Sequence, residues 1–421
     1  MKKTLVKFVL CLTTITIFAS STLAWDDTGH KLASYIAWEQ MSPPARAKAI
    51  KILLSAPEDS DLSVFYLQDS RSAAARQREL FMIASTWADI VRDKNFKIRN
   101  AKYHHGTWHY LDTFWREAGS EVEPVTELQS DKENAVERLF AFDKVLRDPS
   151  ASDADKAIAI AWILHLGGDI HQPLHASARV TELEPKGDQG GNLFELTPKD
   201  TPRESQLNLH WFWDSIVGRN VPRLNDACDS DYLPVIAKQM TTKFPFSKMQ
   251  NRLKPGKFDE WQQESFRIAS TEVYPASLKR FEAPSESYKK KAFEIAQEQI
   301  TLAGYRLGEM LNQIFGGQEL TREEFDRDKS RYANQAQFAG SKIGQGSNDA
   351  WLWTKTRAAL AAIGEIRDST INVDVENSIV TLKGNVASKN KKEIALKVAK
   401  SVEGVKSVKD MLKVTPNGLE K

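Results

Sequence analysis

The sequence predicts two folded units, a mostly α-helical domain over residues 25–315 and a small α+β domain over residues 347–421. Three observations predict this division. In the first region apolar residues recur at helical spacing, and strand-like alternation is scarce. Residues 316–346 are polar and contain several glycines, which is typical of a linker with room for a short helix. Beyond them, the order of elements changes to α-β-β-α-β.

Residues 1–24 have the layout of a secretory signal peptide. Three lysines precede an apolar run, and small residues follow up to Ala24. We therefore expect cleavage after Ala24, so that Trp25 begins the mature chain. An uncleaved membrane anchor is the alternative, but the apolar core is short and rich in Thr and Ser for a span. No later segment is long and apolar enough to cross a bilayer.

Three segments of the first region carry clear helix signals. Ser130–Glu133 has the form of a capping box and predicts a helix to about residue 147. Ser152–Asp155 opens a second helix, which is apolar on all sides and is therefore expected at the centre of the domain. A long helix is predicted to end near Gly316, because apolar residues recur at seven-residue spacing at Phe293, Ile300, Leu307 and Ile314. Loops rich in Pro and Gly separate the helices, notably over 182–204.

In residues 347–421 the sequence predicts closely spaced helices and strands. A helix is expected over 349–363, and strands over 371–375 and 379–384 form a hairpin. An amphipathic helix over 388–404 ends at Gly404, and a final strand follows over 405–414.

Charge and cysteine content limit what can stabilise the protein and what it can bind. Once the signal is removed, Cys228 is the only cysteine, so no internal disulfide can form. Residues 25–346 carry 42 basic and 47 acidic side chains, whereas residues 347–421 carry 13 and 9. An anionic substrate of the first domain would therefore need positive charge from another source, such as bound metal.

The histidines point to a metal site in the first domain. All eight lie between His30 and His210. His165 and Asp169 are four residues apart on a predicted helix, and His210 and Asp214 repeat that spacing. One such pair is usually an ion pair or a hydrogen bond, but two pairs in strongly apolar helices favour metal binding. Imidazole and carboxylate ligands without thiolate suit catalytic zinc.

Six motifs in this order resemble one known family, the trinuclear zinc nucleases that include the fungal and plant single-strand-specific nucleases. The resemblance covers about residues 25–315 and implies a multi-helix fold related to the zinc phospholipases C. The motifs are Trp25-Asp-Asp-Thr-Gly-His30, Trp87-Ala-Asp89 with Arg92, Trp108-His109-Tyr110-Leu-Asp112, the run from His165 to His175, Gly187-Asp188-Gln-Gly-Gly191-Asn192, and the run from His210 to Asp214.

The resemblance implies three zinc ions. It implies that Asp89, His109, His165 and Asp169 hold the first, and that His175, His210 and Asp214 hold the second. The third is expected at His30, at Asp169 as a bridge, and at the α-amino nitrogen and carbonyl oxygen of Trp25. Only signal cleavage would create that free amine. Zinc would activate a water for attack on phosphorus and leave 5′-phosphate products.

Five further residues receive expected roles beside the ligands. Arg92 is expected to stabilise charge on the phosphate, although a helical Arg is otherwise a common surface residue. Tyr110 and Asp112 are expected to form a base-binding pocket, with packing and helix capping as the alternatives. Asp188 and Asn192 are expected to shape the loop at the metal site. His104, His105 and His171 receive no ligand role, and His171 is expected to support or pack.

Two other functions remain open at this point. A zinc phospholipase C is one, although that pattern has Glu where Asp214 stands. The other is a non-catalytic envelope-binding protein, because residues 347–415 resemble a BON domain, a class associated with bacterial envelopes and phospholipid. The expected substrates are single-stranded nucleic acid or nucleotides, with possible activity on 3′-nucleotides. The expected location is the periplasm or the outside of the cell.

Overall fold

A computed structural model of the chain shows a helical domain followed by a small mixed domain, which confirms the predicted fold class. The structure describes residues 25–119, 121–221, 229–316, 322–327, 329–346, 348–361, 363, 366 and 369–415. The predicted signal peptide, residues 1–24, and Cys228 lie outside the described residues. Within the described ranges, no helix has both the length and the hydropathy that a bilayer crossing requires.

Helices account for most of the first domain. They are α1 (Asp27–Gln40), α2 (Pro43–Leu53), α3 (Ala73–Ala84), α4 (Trp87–Ile90), α5 (Lys97–Tyr103), α6 (Ala135–Arg147), α7 (Asp153–Asp169), α8 (Leu209–Asp214), α9 (Ile216–Asn220), α10 (Asp229–Lys243), α11 (Phe246–Met249), α12 (Phe258–Ile268) and α13 (Glu286–Phe315). The same domain contains the short strands β1 (Phe114–Ala118), β2 (Glu121–Pro124) and β3 (Ala178–Arg179).

Helix α7 lies at the centre of this domain. The Ser152 hydroxyl accepts a hydrogen bond from the Asp155 amide at 3.1 Å and caps the helix where the sequence predicts. All residues from Ala159 to Asp169 are buried, and α1, α2, α4, α6 and α13 pack around the helix. A helix that is apolar on all sides requires neighbours on all sides. The C-terminal end of α7 is therefore enclosed by protein.

Helices α1 and α13 pack unusually closely. A Cβ atom added at Gly304 would lie 2.6 Å from the Ile36 Cβ, and one at Gly308 would lie 2.6 Å from the Gln40 Cβ. Glycine at these two positions lets the backbones approach. This contact fixes α1, and with it His30, against the rest of the domain.

The predicted start of α6 is wrong. The capping residue is Asn134, whose side-chain oxygen accepts hydrogen bonds from the amides of Val136 and Glu137, each at 3.1 Å. The Ser130 hydroxyl instead donates to the carbonyl oxygen of Asp112. Asn is as good a cap as Ser, so tertiary contacts decided between the two candidates.

A three-stranded sheet with the order β2-β1-β3 is present although strands were not predicted in this domain. Its strands have two to five residues, which is too short for alternation to show in the sequence. The contacts between these two segments continue on the N-terminal side of β1 and β3. The Leu111 amide donates to the His175 carbonyl at 2.9 Å, and the Ala178 amide donates to the Thr113 carbonyl at 3.0 Å. Two motif segments are thereby held side by side.

The segment expected as a linker, 316–346, carries two helices, α14 (Arg322–Arg327) and α15 (Lys329–Phe338). Phe325 and Tyr332 are buried on this segment, and their rings lie 4.7 Å apart. The Phe325 ring also meets the Trp351 ring at 5.2 Å. The segment therefore packs on the second domain, because its few aromatic residues share one apolar cluster.

The second domain has the predicted order of elements: α16 (Asp349–Ala361), β4 (Thr370–Glu376), β5 (Ile379–Val386), α17 (Lys389–Ser401) and β6 (Ser407–Val414). Strands β4 and β5 form the expected hairpin, with Asn377 and Ser378 at positive φ in the turn, and β6 pairs with β5 in parallel. This domain also contacts the first. Arg357 donates to Glu309 on α13 at 3.0 Å, and the Asn385 amide donates to Asn251 at 2.6 Å.

Candidate metal centre

Five predicted ligands meet at the buried end of α7. Asp169 is central: its Oδ1 lies 3.2 Å from the His30 Nε2, and its Oδ2 lies 3.1 Å from the His109 Nδ1 and 3.3 Å from the His165 Nε2. The Asp89 Oδ1 lies 3.8 Å from the His165 Nε2. These side chains form two overlapping groups, His30–His165–Asp169 and Asp89–His109–His165, whose candidate ligand atoms lie within 4.8 Å of one another.

A third group is formed by His175, His210 and Asp214, again within 4.8 Å. The two imidazole Nε2 atoms lie 3.1 Å apart, and the Asp214 Oδ2 is 3.3 Å from the His210 Nε2. All three side chains are buried. His175 reaches the group from the short helical turn that begins at Pro173, after α7 has ended at Asp169. Pro173 at the start of this turn has no backbone N–H and cannot continue α7, so the chain changes direction before His175.

Backbone carbonyl groups orient three of the imidazoles. The Nδ1 atoms of His165, His175 and His210 each lie 2.7 Å from a carbonyl oxygen, of Ser85, His109 and Gly190 respectively. A ring that donates its Nδ1–H to a carbonyl presents an unprotonated Nε2 on its other side. In each case that Nε2 faces the groups described above, which is the usual arrangement of histidine ligands.

The loop after Gly187 positions His210. A Cβ added at Gly190 would lie 2.5 Å from the Leu174 carbonyl oxygen and 3.2 Å from the His210 Nδ1, so a larger residue has no room. Asp188 anchors the loop, because its carboxylate accepts from the Arg179 amide at 2.9 Å and from the Tyr274 hydroxyl at 2.6 Å. These contacts agree with the expected loop-shaping role of Asp188.

Sequence reasoning missed Gln172. Its side chain is fully buried, its amide nitrogen donates to the Asp214 Oδ1 at 2.6 Å, and its amide oxygen accepts from the Leu174 amide at 2.6 Å. Gln172 thereby orients the Asp214 carboxylate within the group of His175, His210 and Asp214. The available signal in the sequence was the position of Gln172 between His171 and His175. A polar side chain there is expected to make hydrogen bonds, because burying it without a partner costs free energy.

Unsatisfied polar atoms show that these residues fit a metal. Several atoms of the cluster are shielded from solvent and make no well-directed hydrogen bond, although some have close polar neighbours: His30 Nδ1 and Nε2, Asp89 Oδ1, His109 Nε2 and Asp169 Oδ1. A buried polar atom without a hydrogen bond costs about 1–3 kcal/mol. Their concentration at one place, in residues with imidazole and carboxylate groups, matches the donor set of a zinc site.

The electrostatics of most candidate ligands also suit coordination. The exceptions are His165, whose pKa is raised because Asp169 and Asp89 outweigh burial, and Asp214, whose pKa burial raises well above the usual range. Burial, and then the charge of Arg92, lowers the pKa of His109 to about 3. Burial likewise lowers the pKa of His30, His175 and His210. Burial opposes the ionisation of Asp169, but the surrounding imidazoles hold its pKa well below the usual range. Neutral imidazole and ionised carboxylate are the forms that bind metal.

Trp25 and Arg92 lie against this centre. Trp25 is completely buried. The amide of the next residue, Asp26, donates to the carbonyl oxygen of Asp214 at 2.9 Å, and the Asp26 carboxylate caps α1 by accepting from the Gly29 amide at 3.0 Å. The expected first residue is therefore held between the third group and the helix of His30. The Nε atom of Arg92 lies 3.1 Å from the Asp89 Oδ1.

Tyr110 and Asp112 are partly exposed beside His109. Burial raises the pKa of Asp112 to about 7, with Asp188 and Asp131 acting in the same direction. Burial and the Asp112 charge raise the pKa of Tyr110 to about 12. This edge of the site thus offers a neutral phenol and a carboxyl group that can ionise near neutral pH.

The remaining histidines lie outside the three groups. The His171 Nδ1 lies 2.6 Å from the Gly167 carbonyl oxygen, and its Nε2 accepts from Arg306 at 2.7 Å. His105 stacks on Trp108, with ring centroids 3.7 Å apart. His104 is partly buried, and burial lowers its pKa. The structure therefore agrees with the expectation that His171 supports and packs.

Comparison with known proteins connects this geometry to two families. The family model described as S1/P1 Nuclease matches residues 25–316, and that of the BON domain matches residues 348–416. The chain is 24% identical over 317 residues to Endonuclease 2 of Arabidopsis thaliana, which covers 69% of this chain and 91% of that protein. It is 21% identical over 311 residues to Nuclease P1 of Penicillium citrinum, and that match covers 70% of this chain and 99% of the relative.

The second domain has a separate relative. Over 74 residues the chain is 42% identical to Osmotically-inducible protein Y of Escherichia coli (strain K12). That match covers 18% of this chain and only 37% of the relative's length. The similarity therefore concerns one domain of that protein.

Proposed function

The chain belongs to the S1/P1 nuclease family over residues 25–316, and on that premise we propose that it hydrolyses RNA and single-stranded DNA. The family consists of hydrolases that act on nucleic-acid phosphodiesters, so a nuclease activity and a nucleic-acid substrate follow from membership. The observation that carries the finer proposal is the buried convergence of His and Asp side chains around Asp169, with Arg92 beside it.

The family is zinc-dependent, and the proposed ligands form three sets. Asp89, His109, His165 and Asp169 make up the first, and His175, His210 and Asp214 make up the second. The third consists of His30, Asp169 and the backbone amine and carbonyl of Trp25. The support is the distances among these side chains and their unpaired buried atoms. When bound, zinc supplies a Lewis acid and the positive charge that the acidic first domain lacks.

Arg92 is proposed to bind the non-bridging oxygens of the scissile phosphate. Its guanidinium Nε lies 3.1 Å from the carboxylate of Asp89, so the side chain already extends toward the centre. A planar guanidinium can donate two parallel hydrogen bonds to a phosphate. This group would therefore hold the phosphate in place as negative charge gathers on its oxygens.

Tyr110 and Asp112 are proposed to bind the base next to that phosphate. The Tyr110 ring offers a face for stacking, and the Asp112 carboxylate can accept hydrogen bonds from a base edge. Both side chains are partly exposed, and Tyr110 and Asp112 lie one and three residues after His109 in the chain. Hydrolysis then places a hydroxyl on phosphorus and a proton on the departing 3′ oxygen, which leaves 5′-phosphate products. Removal of phosphate from 3′-nucleotides is compatible with the same site.

We further propose that the protein is exported to the periplasm or secreted, because residues 1–24 have the signal-peptide layout. Cleavage after Ala24 would free the amine of Trp25. The buried position of Trp25 supports a role for the mature terminus inside the domain rather than on its surface.

The test is hydrolysis of single-stranded RNA and DNA by protein whose terminus has been verified as Trp25, before and after removal of zinc. We expect zinc-dependent release of 5′-mononucleotides, and we expect Asp169→Ala to abolish it. Asp200→Ala removes an exposed carboxylate elsewhere and serves as the matched control. If the fully metallated protein cleaves neither polymer, the nuclease proposal fails, and phospholipid hydrolysis becomes the next assay.

The BON domain is proposed to contact anionic phospholipid. Exposed lysines on α17 and around β6 carry its positive charge: Lys389, Lys397, Lys400, Lys406, Lys409 and Lys413. Each such lysine near an anionic membrane contributes about 1 kcal/mol. Sedimentation with vesicles that contain an anionic lipid should weaken when Lys397 and Lys409 are changed to Glu, while nucleic-acid cleavage stays unchanged. Equal sedimentation of both proteins would contradict this proposal.

A further inference from the structure

The exposed segment Lys94–Ile98, here called the turn, follows Arg92 and includes the first two residues of α5. It has no role in the site described above. All five residues from Lys94 to Ile98 are exposed. Two are large and apolar, with Phe96 51% and Ile98 73% exposed. In the part of the chain that the structure describes, no hydrogen bond or ion pair of the Lys94 or Lys97 side chain is found. The turn therefore combines an exposed aromatic ring with two cations that have no local partner.

The framework beneath this turn is fixed. The Asn100 amide donates to the carbonyl oxygens of Val91 and Arg92, at 3.0 and 3.1 Å, which closes the chain on both sides of the turn. The guanidinium of Arg99 lies 4.1 Å from the centre of the Phe96 ring. Arg99 is itself buried and donates to the Asp61 carboxylate at 3.0 Å. The Arg99 guanidinium thus packs against the Phe96 ring, while about half of the Phe96 surface is exposed to solvent.

The charge of the turn adds to that of Arg92. The other cations of this segment are neutralised, because Lys102 pairs with Asp59 at 2.6 Å and Arg99 pairs with Asp61. His104 lies within the combined field of Arg92 and Lys94, and after burial these charges contribute to its lowered pKa. Lys94 therefore extends the positive region of Arg92 outward. This feature stands out in a domain whose side chains are acidic overall.

We propose that the turn Lys94–Ile98 binds single-stranded nucleic acid beyond the scissile phosphate. Lys94 and Lys97 contact neighbouring backbone phosphates, and Phe96 stacks on a base. A phosphate backbone with unstacked bases matches both features, since ssDNA- and ssRNA-binding surfaces combine cations with aromatic platforms. A duplex keeps its bases stacked and cannot occupy the Phe96 face. The inference rests on the proposed function and adds a length requirement to it.

The test compares a single-stranded oligonucleotide of about twelve nucleotides with a dinucleotide, using the zinc-loaded protein that begins at Trp25 and retains both domains. Stacking on an aromatic residue accounts for about 1–3 kcal/mol per base, so Phe96→Ala should lower kcat/KM for the oligonucleotide by about 5- to 160-fold. The dinucleotide, which is too short to reach the turn, should be cleaved at an unchanged rate.

Binding gives an independent readout. Fluorescence anisotropy with a non-hydrolysable phosphorothioate strand measures affinity at several salt concentrations. Each phosphate contact to a single strand contributes about 0.7 to the slope of log K against log salt concentration. The double variant Lys94→Glu, Lys97→Glu should therefore reduce the magnitude of that slope by at least about 1.4.

Matched controls use exposed residues of the same types elsewhere. Phe140→Ala removes a ring that is 46% exposed on α6, and Lys290→Glu reverses an exposed charge on α13. Neither should distinguish the two substrates. If the turn variants cleave and bind like the wild type, or lose both substrates equally, the inference is overturned. If the wild type cleaves neither substrate, the proposed function itself fails.

Discussion

At the scale of single residues, the centre depends on side chains that are not themselves candidate ligands. Gln172 is the clearest case, because its amide group connects the Asp214 carboxylate to the backbone of the turn that carries His175. A side chain that orients a ligand influences affinity as well as geometry. The buried environment strengthens this influence, since no water can replace the lost hydrogen bond.

We predict that Gln172→Leu weakens zinc binding by about 10- to 100-fold, because the variant keeps the volume and loses the donor to Asp214. Titration with a competing chelator measures the affinity, and zinc content after dialysis measures the stoichiometry. Gln206→Leu changes an exposed glutamine and provides the control. Unchanged zinc affinity in Gln172→Leu would show that Asp214 is held adequately by other contacts.

For Asp112 we predict an effect of pH on the free energy of unfolding. Burial raises its pKa to about 7 in the folded protein, above the usual value of 3.8. Between these values the folded state binds more protons than the unfolded state, so the free energy of unfolding falls as the pH rises from about 4 to about 7. Asp112→Asn should reduce this fall, which urea denaturation at a series of pH values would reveal. The exposed Asp200→Asn is the control, and an identical pH profile for both variants would refute the prediction.

At the scale of elements, the ligand-bearing segments are short and are fixed by backbone contacts. His109, His175 and His210 come from short turns or a six-residue helix, which have little stability of their own. The β1–β3 pairing, the Gly187–Gly191 loop and the close packing of α1 on α13 hold these segments in place. The metal centre is therefore built where several weak elements meet the strongly buried α7.

We predict that Gly190→Ala destabilises the protein by about 1–3 kcal/mol. The added Cβ would lie 2.5 Å from the Leu174 carbonyl oxygen, at a residue whose φ is +60°. Zinc content should also fall, because the Gly190 carbonyl orients His210. Gly256→Ala separates the two causes, since Gly256 has a φ of +76° and no atom within 4 Å of the added Cβ.

Gly256→Ala should therefore lower the free energy of unfolding by about 1 kcal/mol and leave the zinc content unchanged. Guanidinium denaturation and metal analysis provide both measurements. If the two variants proved equally stable and equally rich in zinc, the close approach at Gly190 would have no energetic role.

At the scale of the whole molecule, the two domains contact each other, and the expected cleavage before Trp25 concerns a residue that lies beside the metal centre. The second domain packs on α13 through Arg357 and Glu309, and α13 in turn packs against α1 and α7. Next to Trp25, the Asp26 amide donates to the Asp214 carbonyl oxygen, and the Asp26 carboxylate caps the helix of His30. The expected mature terminus and the metal centre thus belong to one buried assembly.

We predict that a chain with one extra residue before Trp25 binds less zinc and loses most of its activity. Trp25 is completely buried, and an additional residue would convert its free amine into a peptide nitrogen that cannot bind metal. Metal analysis and hydrolysis of single-stranded RNA would be compared with a chain that begins at Trp25. Proteolytic removal of the extra residue should restore both quantities, and full activity of the extended chain would rule out the Trp25 assignment.

The sequence by itself determined the fold class, the central position of α7 and the order of elements in the second domain. These features follow from local periodicity and capping, as the Ser152 cap and the β4–β5 hairpin illustrate. The motif residues were also identifiable, because their side-chain types restrict the chemistry. The helices within 316–346 were less predictable, since a polar segment shows little periodicity.

Only the tertiary structure decided how these residues meet. The cap of α6 at Asn134, the short β1–β3 sheet and the contacts of Gln172 depend on segments distant in sequence. Asp169 lies beside both His30 and His109, although 139 and 60 residues separate them in the chain. Local sequence fixes the conformation of each segment, whereas the burial of polar atoms among distant segments fixes their partners.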